Sequence, residues 1–339
     1  MIDLRSDTVT KPTAGMLDAM MSADVGDDVF GDDPTVNELQ TKISKLFGMD
    51  DAIFCPSGTM TNQIAMKVLT QPRDEIVCHK YSHVYLYEGG GMMYNSMASP
   101  KLLEGDRGRI TAEQIGESIN PNDIHYPKTR LVVLENTMNK GGGSIYDLKE
   151  IQAIKSVCDK NQLSLHLDGA RLFNALAVTG HDPADYGKLF DTISICFSKG
   201  LGAPVGSVLL GSADSIKEAR RVRKVLGGAM RQAGYLAAAC NYALDHQVER
   251  LKEDHRRAKS IGEALEKLVF VREVMPVDTN IVIARVDDGL GESWFLEELK
   301  KREVHAVPFG KNLVRFVTHL DFTENHLDAF TKAVSAIEA

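Results

Sequence analysis

Short apolar runs rich in β-branched residues recur along this chain, and segments with helical spacing lie between several of them. The runs are Ala52–Cys55, Glu75–Cys78, Leu131–Leu134, Leu163–Leu167, Thr192–Phe197 and Ser207–Leu210. Apolar runs this short are what strands covered on both faces look like. Before the first long helical stretch, Asp33 supplies an N-cap and Pro34 a first-turn proline; Val36, Leu39, Ile43, Leu46 and Phe47 then share one face, and Gly48 can end the helix. Further helices are expected over Met60–Leu69 and from about Leu148 to Lys160. The alternation predicts an α/β fold: a large domain with a mostly parallel sheet and helices on both faces. From Gln232 to about Leu268 the spacing is helical. Beyond Pro276 a smaller alternation follows, with strands at Asn280–Ala284 and Leu313–Val317, a helix near Trp294–Lys301 and a final helix. We therefore expect an N-terminal arm (1–25), a large domain (26–245) and a small C-terminal α+β domain (246–339).

Composition narrows the function classes. The 339 residues carry 39 Lys and Arg against 47 Asp and Glu, a net charge of −8, which argues against a nucleic-acid partner. No apolar run approaches the ~18 residues that a membrane span needs. Residues Met1–Asp7 have neither a basic nor an apolar region, so no signal peptide is expected. The five cysteines include no C-x-x-C pair, and Cys55, Cys78 and Cys196 lie in apolar runs. Buried free thiols suit a reducing compartment, so the expected location is cytoplasmic. P-loop, dinucleotide-fold, nucleophile-elbow and H-E-x-x-H motifs are absent from the sequence. His79 and His83 have helix-compatible metal spacing but no further ligand cluster, so no metal is expected.

Ligands of open α/β sheets bind at the carboxyl ends of the strands, and four polar groups fall there. Pro56-Ser57-Gly58-Thr59 follows a strand and opens a helix, which exposes backbone N–H groups and a hydroxyl to an anion. Asp168 ends a second strand, Lys199 follows a third, and His83 lies just past a fourth. A lysine leaving a buried strand needs its charge paired or its pKa lowered, unless it snorkels to solvent. A lysine for an aldehyde, a carboxylate for a pyridinium nitrogen, a helix N-terminus for a phosphate and an imidazole for stacking together meet the demands of pyridoxal 5'-phosphate. Several neighbours read more blandly. His166 reads as a core histidine and His319 as structural. Glu88-Gly89-Gly90-Gly91 reads as a flexible loop, and Arg5 and Asp7 as a pair within the arm.

Over nearly its whole length the chain resembles the L-threonine aldolases of low-specificity or L-allo type, within the aspartate-aminotransferase-like fold type I of pyridoxal-phosphate enzymes. The motifs are Asp3–Thr10, Val25–Thr35, Pro56–Met60, His166–Arg171, Ser198–Leu201, Gly227–Gln232 and Val314–His319. Ala229 departs from the pattern, standing where a third glycine is common. The resemblance implies Lys199 as the Schiff-base lysine, Asp168 as partner of the pyridine nitrogen, and Gly58 and Thr59 as phosphate donors. It implies His83 as the stacking group near the substrate hydroxyl and His125 near the hydroxyl or the cofactor, with His83, His125 or an ordered water as the base. Ser6, Arg171 and Arg315 would bind the substrate carboxylate, with Arg171 also near the cofactor. Lys224 and Arg231 would come to the cofactor from a neighbouring subunit of a homotetramer, a dimer of dimers. The implied reaction is retro-aldol cleavage of L-threonine or L-allo-threonine to glycine and acetaldehyde. The alternative is another pyridoxal-phosphate lyase on β-hydroxy amino acids, a phenylserine aldolase or a β-eliminating lyase.

Overall fold

The computed structural model describes residues 1–338. Strand β1 (Ile2–Asp3) stands outside the main sheet. That sheet is built from β2 (Asp51–Cys55), β3 (Asp74–His79), β4 (Ser99–Leu103), β5 (Lys128–Glu135), β6 (Ser164–Gly169), β7 (Thr192–Cys196) and β8 (Ser207–Gly211). Its order is β2-β8-β7-β6-β5-β3-β4. Only β8 runs against its neighbours, so the other six strands end at one edge. The second unit contains β9 (Val271–Val274), β10 (Ile281–Val286), β11 (Val304–His305), β12 (Val307–Gly310) and β13 (Leu313–Val317). Four of these form an antiparallel sheet in the order β12-β13-β10-β9, while β11 pairs in parallel with β1.

Side chains alternate across the main sheet, and both faces are buried. Val77, Val132 and Leu134 enter the large core cluster, while Ile76, Cys78, Leu131 and Val133 enter another under different helices. The α/β class and the largely parallel sheet are therefore as the sequence predicts. Strand β4 was not legible in the sequence: it is the sheet's edge, half-exposed, and carries Pro100, which is tolerated only at such a position. The expected helix over Gln232–Leu268 is two helices, Gly234–His246 and Leu251–Leu265. The break lets Leu251 point into the first core while Ala258 and Ile261 join the second. Residues 1–25 cross both units: Ile2 and Leu4 lie in the second core, and Met16 lies in the first.

One buried carboxylate organises two helix starts. Asp33 caps helix Pro34–Phe47 by accepting from Val36 N at 3.0 Å, and its other oxygen accepts from Gly234 N at 2.8 Å, at the start of Gly234–His246. A Cβ at Gly234 would stand 2.4 Å from Asp33 Oδ1, so the approach demands glycine. Asp33→Ala removes the cap and strands a buried N–H, which should cost about 2–4 kcal/mol. Denaturant titration checks this, and Asp33→Asn, which keeps one acceptor, should recover part of the loss.

Candidate active site

The shared strand edge carries two adjoining cavities. The deeper one is a slot of about 120 Å³ lined by Ser57, Gly58, Thr59, Asn62, His83, Asp168, Ala170, Cys196, Ser198 and Lys199. The wider one is a vestibule of about 700 Å³, whose walls include Ser6, His83, Tyr87, Lys140, Arg171, Lys199, Phe309 and Arg315. His83 and Lys199 line both.

The slot is built from local rules. Helix Gly58–Leu69 starts at its mouth, where Ser57 Oγ accepts from Met60 N at 3.2 Å. Among the described residues, the Gly58 and Thr59 amides meet no protein acceptor, so they are open to an anion. Gly58 is required because a Cβ there would meet Cys196 Sγ at 2.5 Å. Asp168 lies at the carboxyl end of β6 and is buried; its Oδ2 accepts from Asn62 Nδ2 at 3.0 Å and its Oδ1 from Ala170 N at 3.2 Å. Behind it, His166 Nε2 meets Asn62 Oδ1 at 3.1 Å and Nδ1 meets Thr192 Oγ1 at 2.8 Å. Burial pushes His166 down to about 4, so the ring is neutral. Asn62 gives its N–H groups to carboxylates, so its oxygen faces His166 Nε2, which must carry the proton. This geometry fits pyridoxal phosphate: free amides for the phosphate at one end, a fixed carboxylate for the ring nitrogen, and a lysine at the rim.

The vestibule is cationic. Arg171 donates through Nε and Nη2 to both oxygens of Asp7, each at 2.7 Å, and both residues are buried. Burial alone would raise the Asp7 carboxyl, but the Arg171 guanidinium outweighs it and holds Asp7 well below the usual range. Arg315 donates to Asn139 Oδ1 and to the Arg5 carbonyl, both at 2.9 Å, and its buried Nε has no partner among the described residues. Burial and the neighbouring Arg171 lower Arg315 to about 10, which leaves it a cation at neutral pH.

Glu135 ties the two cavities together. Its oxygens accept from His83 N at 2.8 Å and from Asn139 N at 2.9 Å, and Asn139 in turn holds Arg315. Burial, then the nearby Asp168, push Glu135 up to about 7. Burial opposes a charge on His83, but its contact with Glu88 and the fields of Asp168 and Glu135 outweigh that and raise its pKa.

The structure thus brings together Lys199, Asp168, Gly58, Thr59 and His83 at the slot, and Ser6, Arg171 and Arg315 at the vestibule. His125 does not join them in the same chain. It precedes β5 at the opposite end from Glu135, is four-fifths exposed, and pairs with Asp123 at 2.7 Å. Lys224 and Arg231 line neither cavity; Lys224 is exposed and Arg231 pairs with Asp27 at 2.9 Å. Arg5 pairs with Asp3, not Asp7, because Asp7 is turned inward to Arg171. His166 is a core histidine that also backs Asp168 through Asn62. Asn62, Glu88, Glu135 and Asn139 were missed, since none carries a motif of its own.

Comparisons with known proteins come to the same place. The profile of the β-eliminating lyase family matches residues 3–289. The low-specificity L-threonine aldolase of Escherichia coli K12 is 42% identical over 334 residues, 96% of each chain. Low-specificity L-threonine aldolase 1 of Arabidopsis thaliana is 37% identical over 329 residues, 95% of this chain and 92% of that one. Among solved structures, the threonine aldolase of Leishmania major superposes with a TM-score of 0.86 at 22% identity, covering 99% of each chain. The serine palmitoyltransferase of Sphingomonas wittichii reaches 0.76 at 16% identity, covering 99% of this chain and 87% of that one, a likeness of fold.

A raised carboxyl has a signed consequence for stability. Glu135 in the folded chain keeps its proton to about pH 7, while in the unfolded chain it loses it near the ordinary 4.5. The folded state therefore binds more protons between those values, and this group's contribution to stability falls as pH rises from 4.5 to 7. Glu135→Gln removes that slope. Urea midpoints of the cofactor-free protein at pH 5 and pH 8 should favour the variant, relative to wild type, more at pH 8 than at pH 5.

Proposed function

The chain belongs to the β-eliminating lyase family, in the branch of low-specificity L-threonine aldolases, and from that membership we infer that it is a carbon–carbon lyase cleaving L-threonine and L-allo-threonine to glycine and acetaldehyde. The observation that carries the reading is Lys199, which stands between a slot ended by Asp168 and a vestibule lined by Arg171 and Arg315. When bound, pyridoxal phosphate supplies an aldehyde for the substrate amine and a ring that takes up the electron pair of the broken Cα–Cβ bond.

The chain's own residues do the rest. Lys199 would hold the cofactor's aldehyde carbon and yield it to the substrate amine. Gly58 and Thr59 would bind the phosphate, Asp168 would keep the ring nitrogen protonated, and His83 would cover the ring. Arg315, the third nitrogen of Arg171 and Ser6 would grip the substrate carboxylate. That grip would fix the orientation of the Cα–Cβ bond for the ring that takes up its electrons. His83 is the proposed base for the β-hydroxyl proton, because it alone among the candidate histidines lines both cavities.

The reading extends to a homotetramer, a dimer of dimers, in the cytoplasm. Among the described residues no helix is long and apolar enough to cross a membrane. Tyr85, Tyr87, Met93, Tyr94 and Met97 are exposed within one short stretch of chain whose Tyr87 lines the vestibule, and exposed apolar groups of this kind suit cover by a neighbouring subunit. Lys224, Arg231 and His125, remote from the site in their own chain, are the groups such a neighbour would bring to it.

The holoenzyme should release acetaldehyde from both substrates, and Lys199→Ala should abolish release. His83→Asn should lower kcat by ~10²–10⁴-fold. Arg315→Ala, losing a charged hydrogen bond of ~1.5–3 kcal/mol, should raise KM by about 10–100-fold. Ammonia in place of acetaldehyde would overturn the aldolase reading in favour of β-elimination.

A further inference from the structure

The Glu88-Gly89-Gly90-Gly91 run, which reads in the sequence as a flexible loop, is a built element. Gly89 and Gly90 both take left-handed backbone, at φ +62° and +75°, a turn that side chains resist. A Cβ on Gly91 would stand 2.5 Å from the Gln63 side-chain amide. The three glycines let the chain fold tightly against helix Gly58–Leu69 and carry the Glu88 carboxylate inside, where its side chain is fully buried.

Every oxygen of that carboxylate is engaged. Oε2 accepts from Gln63 Nε2 at 2.6 Å, and Gln63 is itself held by Asn95 at 3.0 Å. Oε1 accepts from Asn62 Nδ2 at 2.8 Å and meets His83 Nδ1 at 2.9 Å. The same Asn62 nitrogen reaches Asp168 Oδ2 at 3.0 Å. A carboxylate already taking amide protons on both oxygens is an acceptor, so the His83 nitrogen facing it is the one that carries hydrogen. His83 Nε2 has no protein hydrogen bond among the described residues.

We propose that Glu88 is the positioning residue of this site: it holds the His83 proton on Nδ1, leaves Nε2 bare for the substrate hydroxyl, and ties that ring through Asn62 to Asp168. The proposal rests on the aldolase reading only for the identity of the proton that Nε2 takes. The other charged groups facing His83 are Asp168 and Glu135 on the strand edge, and Lys199, Lys140 and Arg171 around the two cavities. Glu88 differs from all of them in touching the imidazole directly. Its removal lowers the basicity of His83, and Nδ1 loses the partner that fixes the tautomer.

The test reads His83 itself. Diethyl pyrocarbonate reacts with neutral imidazole, so the pH dependence of its reaction, located at His83 by peptide mass, gives the midpoint of that one ring in the holoenzyme. Glu88→Gln keeps the shape and removes the charge. Its midpoint should fall by about one pH unit or more, as expected for loss of an opposite charge in contact. Glu88→Asp, which keeps a carboxylate near the ring on an arm one methylene shorter, should stay closer to the wild type than Glu88→Gln does. In threonine cleavage, the acid limb of kcat/KM should move the same way. Double variants with His83→Asn should show that Glu88→Gln costs little once the imidazole is gone. An unmoved His83 midpoint in Glu88→Gln, or identical midpoints in the Asp and Gln variants, overturns the proposal whatever happens to activity. The labelling needs no turnover, so failure of the wild type to cleave threonine would overturn the aldolase reading and leave this result standing.

Discussion

The buried pair between Asp7 and Arg171 is the joint on which this architecture turns. Arg171 follows the end of β6 in the main sheet, and Asp7 lies in the segment that starts at β1. That segment is tied to the second unit by Val317 N donating to the Leu4 carbonyl at 2.9 Å and by Asn280 Nδ2 donating to Asp7 Oδ2 at 3.1 Å. This bidentate contact therefore ties together two sheets with separate cores, alongside Arg315 on Asn139, Lys140 on the Phe309 carbonyl and Thr279 on the Gly143 carbonyl. Removing either partner leaves a desolvated charge, which costs about 3–5 kcal/mol. With Nε and Nη2 turned to Asp7, the third nitrogen of Arg171 is left for the vestibule, so a group engaged in holding the fold still presents donors there.

Around the slot, charge is kept tolerable by amide donors. His83, Glu88 and Asp168 offer atoms all within 4.8 Å of one another, and Glu135 adjoins Asp168 across the β5–β6 ladder. Carboxylates this close in a low dielectric cannot all ionise freely. Asn62 relieves two of them with one amide, and its orientation is fixed by the neutral His166 behind it. Glu135 takes two backbone N–H groups and is still raised to about 7. A positively charged ring nitrogen at Asp168 would lower the repulsion further.

The parts of the fold that follow from periodicity were legible in the sequence. Asp33 caps its helix, Leu148–Lys160 is helical, and the six apolar runs are strands of the main sheet. At the site, residues in strong local contexts could be read: Lys199 and Asp168 follow buried runs, and Gly58 opens a helix. Residues defined by long-range partners could not. Glu88 meets its partners Asn62 and Gln63 from 26 and 25 positions away, and Asp7 meets Arg171 from 164. A carboxylate beside three glycines reads as a solvated turn until the helix it packs against is in place. His125 shows the converse: the fold of one chain leaves it at the far end of its strand, so its own chain does not bring it to the site.

The single antiparallel strand explains why a lysine can be held at the slot at all. Between β7 and β8 the chain must reverse within residues 197–206, at the edge where the ligand groups gather. Phe197 N donates to the Gly206 carbonyl and Ala203 N to the Phe197 carbonyl, each at 3.0 Å, and Gly202 N donates to the Lys199 carbonyl at 2.8 Å. Arg250 adds a donor to the Gly200 carbonyl at 3.1 Å. Gly202 and Gly206 take φ of +80° and +134°, and a Cβ at Gly206 would strike Cys240 at 2.7 Å. The reversal is therefore a closed, hydrogen-bonded loop, and Lys199 is launched from fixed backbone. A parallel continuation of β7 would have led straight into a crossover helix, with no such loop to carry the amine between slot and vestibule. The one break in the parallel order sits where the chemistry needs a side chain that is firmly based and free at its tip.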